Sequence, residues 1–99
     1  MLQTIRNENI ITLLLGPECL AINSESLRTN LFQILNEPHE EICLDFSATR
    51  LIDAAGIGVI AATVYESRRK KCKLTMTGAT GSVLNTLLST GIDRLLPTK

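Results

Sequence analysis

Short runs of branched apolar residues recur along the chain and predict the strands of a sheet. The run at residues 10–15 ends at Gly16-Pro17, and its composition favours a strand buried on both faces. Residues 2–6 are interpreted as a preceding strand. Apolar and polar residues alternate over residues 42–46, which is the period of a strand, and residues 74–77 form the next strand.

Three longer segments between these runs carry apolar residues at helical spacing. The first follows Asn23 or Ser24, both suitable N-caps, and ends before Pro38. The second begins near Gly56 and ends in a cationic turn, which the negative end of a helix favours. The third ends at Gly91, a position suited to a left-handed residue. The three apolar stripes are Leu27, Leu31, Ile34 and Leu35; Ile57, Ile60, Ala61 and Val64; and Val83, Leu84, Leu87 and Leu88.

Strands and helices follow one another in the order β-β-α-β-α-β-α, with an apolar segment at residues 92–96 after the last helix. Alternation of this kind predicts an α/β protein with a largely parallel sheet. The chain has 99 residues and shows neither a linker nor an internal repeat. We therefore predict a single domain, 1–99, with one core.

Composition excludes several classes of protein. With 44% apolar and 20% charged residues, the chain is predicted to be compact and not disordered. No apolar run approaches the roughly 20 residues of a membrane span, and the first residues lack a signal-peptide pattern. We therefore expect a cytoplasmic protein without direct membrane insertion. Cys19, Cys43 and Cys72 do not have metal-ligand spacing, so we expect free thiols and no metal.

The charges balance overall but are unevenly distributed. Ten basic and ten acidic residues give a formal net charge of zero, and the chain has no Trp, one Tyr and two Phe. Because charge attraction and aromatic platforms are both lacking, we predict no nucleic-acid binding. The run Arg68-Arg69-Lys70-Lys71, with Lys73, is interpreted as a solvated helix end, with an acidic partner or a membrane surface as alternatives.

No set of residues predicts an active site. Asp45 and Asp53 follow successive strand-like segments, a placement that also suits an acid–base pair or a magnesium site. The favoured interpretation is that Asp53 caps the second helix and that Asp45 binds a nearby turn. Gly56-Ile57-Gly58 lacks the third glycine of a dinucleotide-binding loop, and His39 is interpreted as a surface loop residue. We predict no cofactor and no enzymatic activity.

The segment from Leu44 to Ile60 resembles the STAS domain, the family of bacterial anti-sigma factor antagonists. In that family an apolar strand ends in Asp, and a short loop leads to Ile-Asp-Ser-Ser-Gly-Leu-Gly at the start of a helix. Leu15-Gly16, the basic residues 68–71 and the closing residues 88–96 extend the resemblance over nearly the whole chain. It implies a sandwich with helices on one face of a mixed, mostly parallel sheet of four to five strands, and a non-catalytic role in binding proteins.

Two departures from the family pattern concern the loop that is phosphorylated in the family and the turn that faces it. In the antagonists a serine of the Asp-Ser-Ser-Gly loop is phosphorylated by the anti-sigma kinase, but both positions are alanine here, Ala54 and Ala55. An acidic position of the family's early turn aligns with Cys19. A phosphoserine adds about −1.5 to −2 charges, which would release a partner, so this chain is expected to lack that release. If phosphorylation has moved to another hydroxyl group in this chain, Ser47 and Thr49 are the candidate residues.

The resemblance implies a partner surface at the start of the second helix and in the turn after the first long strand. Its predicted residues are Asp53, Ala54, Ala55, Gly56, Ile57 and Gly58, with Gly16 and Cys19 from the turn.

Two functional hypotheses follow, and both require a protein partner. In the first, the chain is a partner-switching regulator that has lost its phosphorylation switch and binds an anti-sigma factor or a kinase-like regulator without interruption. In the alternative, it resembles the cytoplasmic STAS subunit of an ATP-driven lipid transport system and binds a transporter subunit. Neither hypothesis specifies the oligomeric state.

Overall fold

The computed structural model describes residues 2–37 and 41–99. His39 lies outside these residues, so its place in a surface loop stays a prediction. The elements are β1 (Gln3–Asn7), β2 (Ile10–Leu14), β3 (Glu18–Cys19), α1 (Ser24–Leu35), β4 (Glu41–Asp45), β5 (Leu51–Ile52), α2 (Ala54–Arg69), β6 (Lys73–Thr77) and α3 (Gly81–Thr90). Short 3-10 turns span Ala21–Asn23 and Ile92–Arg94.

The central sheet has the strand order β1-β2-β4-β6. β1 is antiparallel to β2, whereas β2, β4 and β6 are parallel to one another. The register places Leu13 beside Leu44 and Leu44 beside Met76, because the apolar residues of each strand must face the same side. The α/β class and the mostly parallel four-stranded sheet are confirmed. β3 and β5 pair separately as a short parallel ladder.

The three α-helices of the described residues pack on one face of the sheet. One buried cluster joins alternate residues of the strands to one side of each helix. Its members from the long strands and the helices are Ile11, Leu13, Ile42, Leu44, Leu74, Met76, Leu27, Leu31, Leu35, Val59, Ile60, Val64, Val83 and Leu87. On the other face, Thr12, Cys43 and Thr75 lie in one row. The prediction that β2 is buried on both faces is therefore wrong, since its residues alternate between buried and half-buried.

The buried stripes of α2 and α3 are rotated from the predicted ones. In α2 the buried residues are Gly56, Val59, Ile60, Thr63, Val64 and Ser67. Ile57 and Ala61, which were predicted to be in the core, are half-buried. In α3, Leu84 is half-buried and Leu88 is exposed. The rotation of α2 follows from the close approach of Gly56 to the rest of the chain, described below, which turns that side of the helix inward.

The end of α3 agrees with the prediction, and the start of α1 differs from it. Gly91 ends α3 with a left-handed φ of 78°, as predicted. Asn23 precedes α1, but its side chain makes no cap to that helix. Instead the Leu20 amide donates to Asn23 Oδ1 at 2.8 Å, and Asn23 Nδ2 donates to the Glu18 carbonyl at 2.6 Å. The Asn23 side chain therefore stabilises the turn before α1, which is part of the candidate site.

Candidate partner-binding site

The short ladder of β3 and β5 brings the turn after β2 to the start of α2. Glu18 lies beside Leu51 and Cys19 beside Ile52. The amides of Arg50 and Leu51 both donate to the Pro17 carbonyl, at 2.8 and 3.2 Å. Two segments that are distant in sequence thereby form one platform at the N-terminal end of α2.

The carboxylate of Asp53 joins this platform to the helix. The Gly56 amide donates to Asp53 Oδ1 at 2.9 Å, and the Ala21 amide, 32 residues away in the chain, donates to Oδ2 at 2.9 Å. The predicted N-cap is confirmed, and it also reaches the 3-10 turn. These two backbone bonds hold the pKa of Asp53 below its usual range. Their contribution to stability is therefore present above the ordinary carboxyl pKa and is lost as the pH falls through the lowered pKa of Asp53.

Gly56 lies directly against the carbonyl of Cys19. A Cβ atom placed on Gly56 would be 2.0 Å from the Cys19 oxygen, a distance that real Cβ atoms do not show. The Asp53 amide also donates to this oxygen, at 3.2 Å. Gly56 is buried and Cys19 is only 1% exposed. The structure thus places both residues beneath the predicted surface, where they support it.

Burial also determines the chemistry of Cys19. Removal from water raises the pKa of its thiol, and the nearby negative charge of Asp53 raises it further. A thiol whose pKa is raised stays protonated and is a poor nucleophile at neutral pH. Cys19 is therefore a small buried apolar group in this site.

Several accessible residues lie at the start of α2 and in the two segments that adjoin it. We call them the α2 entry surface: Ala54, Ala55, Ile57 and Gly58 of the helix, Ile22 of the 3-10 turn and Leu51 of β5. Ala54 and Gly58 are exposed, and Ala55 and Ile57 are half-buried. No atom lies within 4 Å of the position that a Cβ on Gly58 would occupy. Gly16, in the adjoining turn, also has open space around it.

Two apolar residues of this surface were missed by the sequence analysis. Ile22 is 92% exposed in the 3-10 turn held by Asp53, and Leu51 is 50% exposed in β5. Sequence patterns assign isolated apolar residues to the core, because burial is their usual state. The signal that was available for Ile22 is its position directly before the polar helix start Asn23-Ser24, outside every apolar stripe.

The alternative hydroxyls, Ser47 and Thr49, differ in accessibility. Thr49 is buried, and its hydroxyl donates to the Gly16 carbonyl at 2.9 Å. Ser47 is exposed, and its amide donates to Asp45 Oδ1 at 2.8 Å, which confirms the predicted role of Asp45 in a turn. Of these two residues, Ser47 alone is open to modification, and a phosphate there would lie beside a carboxylate.

Two further features were sought in the described residues: a cluster of metal ligands and a helix able to cross a membrane. Over residues 2–37 and 41–99, His, Cys, Asp and Glu side chains form no group of three suited to a metal ion. Within the same residues, the helices are too short or too polar to cross a membrane.

Fold and site together define a small α/β domain that presents the N-terminal end of one helix beside a supported turn. The sequence matches the model of the STAS domain over residues 1–99, so the chain belongs to the STAS domain family. A comparison with curated proteins gives no match.

Solved structures share this fold at low sequence identity. An anti-sigma factor antagonist from Mycobacterium paratuberculosis aligns with a TM-score of 0.87 and 16% identity, covering 99% of this chain and 83% of that one. The antagonist SpoIIAA in its unphosphorylated form aligns at 0.80 and 14% identity, covering 100% and 88%. The murine Solute Carrier 26 family member A9 anion transporter aligns at 0.76 and 16% identity, over 87% of this chain and 14% of that longer one.

The contact between Gly56 and Cys19 predicts opposite effects of the same substitution at two neighbouring glycines. Gly56→Ala should destabilise the domain by about 1–3 kcal/mol, because the methyl group must displace a backbone carbonyl. Gly58→Ala should stabilise it by about 0.5–1 kcal/mol, because the helix gains a better residue in open space. Chemical denaturation of both variants measures the difference. Equal midpoints for the two variants would contradict the described packing.

Proposed function

We propose that this STAS domain is a non-catalytic module that binds a protein partner through the α2 entry surface. The observation that carries the proposal is the exposure of two large apolar residues: Ile22, in the turn bound by Asp53, and Leu51, in the strand that leads into α2. Burying exposed apolar area contributes about 25 cal/mol per Å², so these side chains are suitable anchors. Gly58, which has open space around it in the same helix start, lets a partner backbone approach closely.

The anchors are held on a prepared support. Asp53 fixes the 3-10 turn that carries Ile22, and the ladder of β3 and β5 fixes Leu51. A surface that is already ordered loses little conformational freedom when a partner binds, which favours affinity. The support consists of the Asp53 carboxylate and of backbone bonds between three segments of the chain.

In its finer form, the proposal is that the chain is a partner-switching regulator without a phosphorylation switch. Similarity to anti-sigma factor antagonists supports an anti-sigma factor or a kinase-like regulator as the partner. Ala54 and Ala55 offer no hydroxyl at the helix start, and the Thr49 hydroxyl is buried. Binding would then continue without interruption by phosphate.

Similarity to a part of an anion transporter supports a second candidate. In it, the same surface binds a subunit of a transport system, such as an ATP-driven lipid transporter. Both candidates use the α2 entry surface, and the identity of the bound protein distinguishes them.

The proposed surface predicts that Gly58→Arg abolishes binding without unfolding the domain. The space around Gly58 accommodates the new side chain in the isolated protein, but a partner would have to bury its unpaired charge. We expect affinity to fall by about 100-fold or more, since truncated charge pairs in interfaces cost several kcal/mol. Partner capture from native lysate, followed by binding measurements with the captured protein, tests this.

Gly58→Ala is the matched control, because it adds one methyl group at the same position. Wild type and Gly58→Ala should retain the partner, and Gly58→Arg should lose it while keeping a nearly unchanged melting temperature. A partner retained by all three proteins would place its interface on another face. A captured kinase-like regulator supports the first candidate, and captured transporter subunits support the second.

If the chain lacks a phosphorylation switch because positions 54 and 55 are alanine, a serine at either position should restore that switch. Ala54→Ser and Ala55→Ser should cost little stability, because serine is tolerated in the first turn of a helix. After incubation with ATP and the captured kinase-like regulator, mass spectrometry should find phosphate on one variant and none on wild-type residues 53–58. The phosphorylated variant should bind more weakly, whereas wild-type binding should be insensitive to ATP. Phosphate on wild-type Ser47 would show that the switch has moved.

A further inference from the structure

Five cationic side chains gather at the C-terminal end of α2, at the opposite end of the helix from the α2 entry surface. We call them the basic end: Arg68, Arg69, Lys70, Lys71 and Lys73, all of which are exposed. α2 has 16 residues. At about 1.5 Å per residue, the two ends lie roughly 24 Å apart. A partner on one end therefore leaves the other accessible.

Only part of this charge is neutralised locally. Arg69 donates to both Glu66 oxygens, at 2.6 and 2.9 Å. Lys73 Nζ lies 3.8 Å from Glu41 Oε1, but Lys99 Nζ already binds the other oxygen of Glu41 at 2.6 Å. Over residues 2–37 and 41–99, no carboxylate forms an ion pair with Arg68, Lys70 or Lys71.

Other acidic groups nearby do not cancel the basic end. Lys70 Nζ donates to Asn36 Oδ1 at 2.5 Å, and the adjacent Glu37 is engaged by Arg6 at 2.7 Å. Glu8 lies in the turn between β1 and β2. β1 is three strands away from β6 in the sheet, which corresponds to roughly 14 Å. The zero net charge of the chain thus conceals a local excess of positive charge.

An exposed aromatic side chain adjoins the basic end. Tyr65 is 75% exposed. It shares a helix face with Arg68 and Arg69, which follow it by three and four residues. A tyrosine combines an apolar ring with a polar tip, and such side chains are enriched at the depth of lipid headgroups.

We propose that the basic end and Tyr65 dock on an anionic phospholipid bilayer, at its surface and without a spanning helix. Within the described residues, the side chains of Arg68 and Lys71 form no hydrogen bond. Their charged groups are therefore not held in a fixed arrangement that would match one peptide or one phosphate. A bilayer supplies anionic headgroups at every point of a plane and needs no fixed arrangement. Each cation near such a surface contributes roughly fivefold in affinity, which gives weak, reversible binding.

Sedimentation with phospholipid vesicles tests the proposal on the isolated protein, so its outcome is independent of the protein partner. The chain should sediment with vesicles that contain phosphatidylserine and not with pure phosphatidylcholine. Binding should disappear in about 0.5 M salt, where exposed charges are screened. Equal binding to neutral vesicles, or binding to anionic vesicles that resists this salt, would overturn the proposal.

A pair of matched double variants locates the binding surface. Arg68→Glu with Lys71→Glu should reduce the affinity for anionic vesicles by about 25-fold or more, since two cations are lost. Arg28→Glu with Arg94→Glu makes the same change in net charge at exposed positions outside the basic end. Equal losses in the two double variants would contradict docking through the basic end. Tighter binding to DNA or to polyglutamate than to anionic vesicles would reassign the surface to that partner.

Tyrosine fluorescence reports on the contact directly. Tyr65 is the only tyrosine and the chain has no Trp, so the intrinsic emission reports on Tyr65. Anionic vesicles should protect this emission from acrylamide, and brominated lipid in the vesicles should quench it. Unchanged accessibility of Tyr65 in fully bound protein would overturn the proposed orientation.

Discussion

The arrangement of the site depends on one carboxylate that binds two backbone amides from distant parts of the chain. Asp53 uses one oxygen for the Gly56 amide and the other for the Ala21 amide. The first bond begins α2, and the second holds the 3-10 turn that carries Ile22. Because Gly56 has no side chain, the Cys19 carbonyl also packs against the helix start. A short acidic side chain and a glycine three residues later thus join two segments into one surface.

The same helix has different properties at its two ends. Its N-terminal end is small, apolar and held by backbone bonds, which suits a protein interface. Its C-terminal end is cationic, in agreement with the helix dipole, and is adjoined by an exposed aromatic ring. Because the two proposed surfaces are separated by the length of α2, one domain could bind a protein partner and an anionic surface at the same time. The proposed regulator or transport subunit would then be held near a membrane by the basic end and Tyr65.

Much of the fold was predictable because it rests on local patterns. Alternation at Ile42, Leu44 and Phe46 predicted β4, and Asp53 was a recognisable N-cap. The ladder of β3 and β5 was not predicted, since each strand has only two residues and shows no period. The position of Ile22 depends on the bond between Ala21 and Asp53, and the burial of Cys19 depends on its contact with Gly56; no local window contains either contact.

Amide hydrogen exchange in Asp53→Asn tests most directly whether this carboxylate joins the turn to the helix. Asparagine keeps one side-chain oxygen, so it accepts from one of the two amides but not from both. We predict that either Ala21 or Gly56 loses its protection from exchange while the other amide keeps it, with the central sheet unchanged. If both amides stay as protected as in the wild type, the bridge by Asp53 is not what holds the α2 entry surface together.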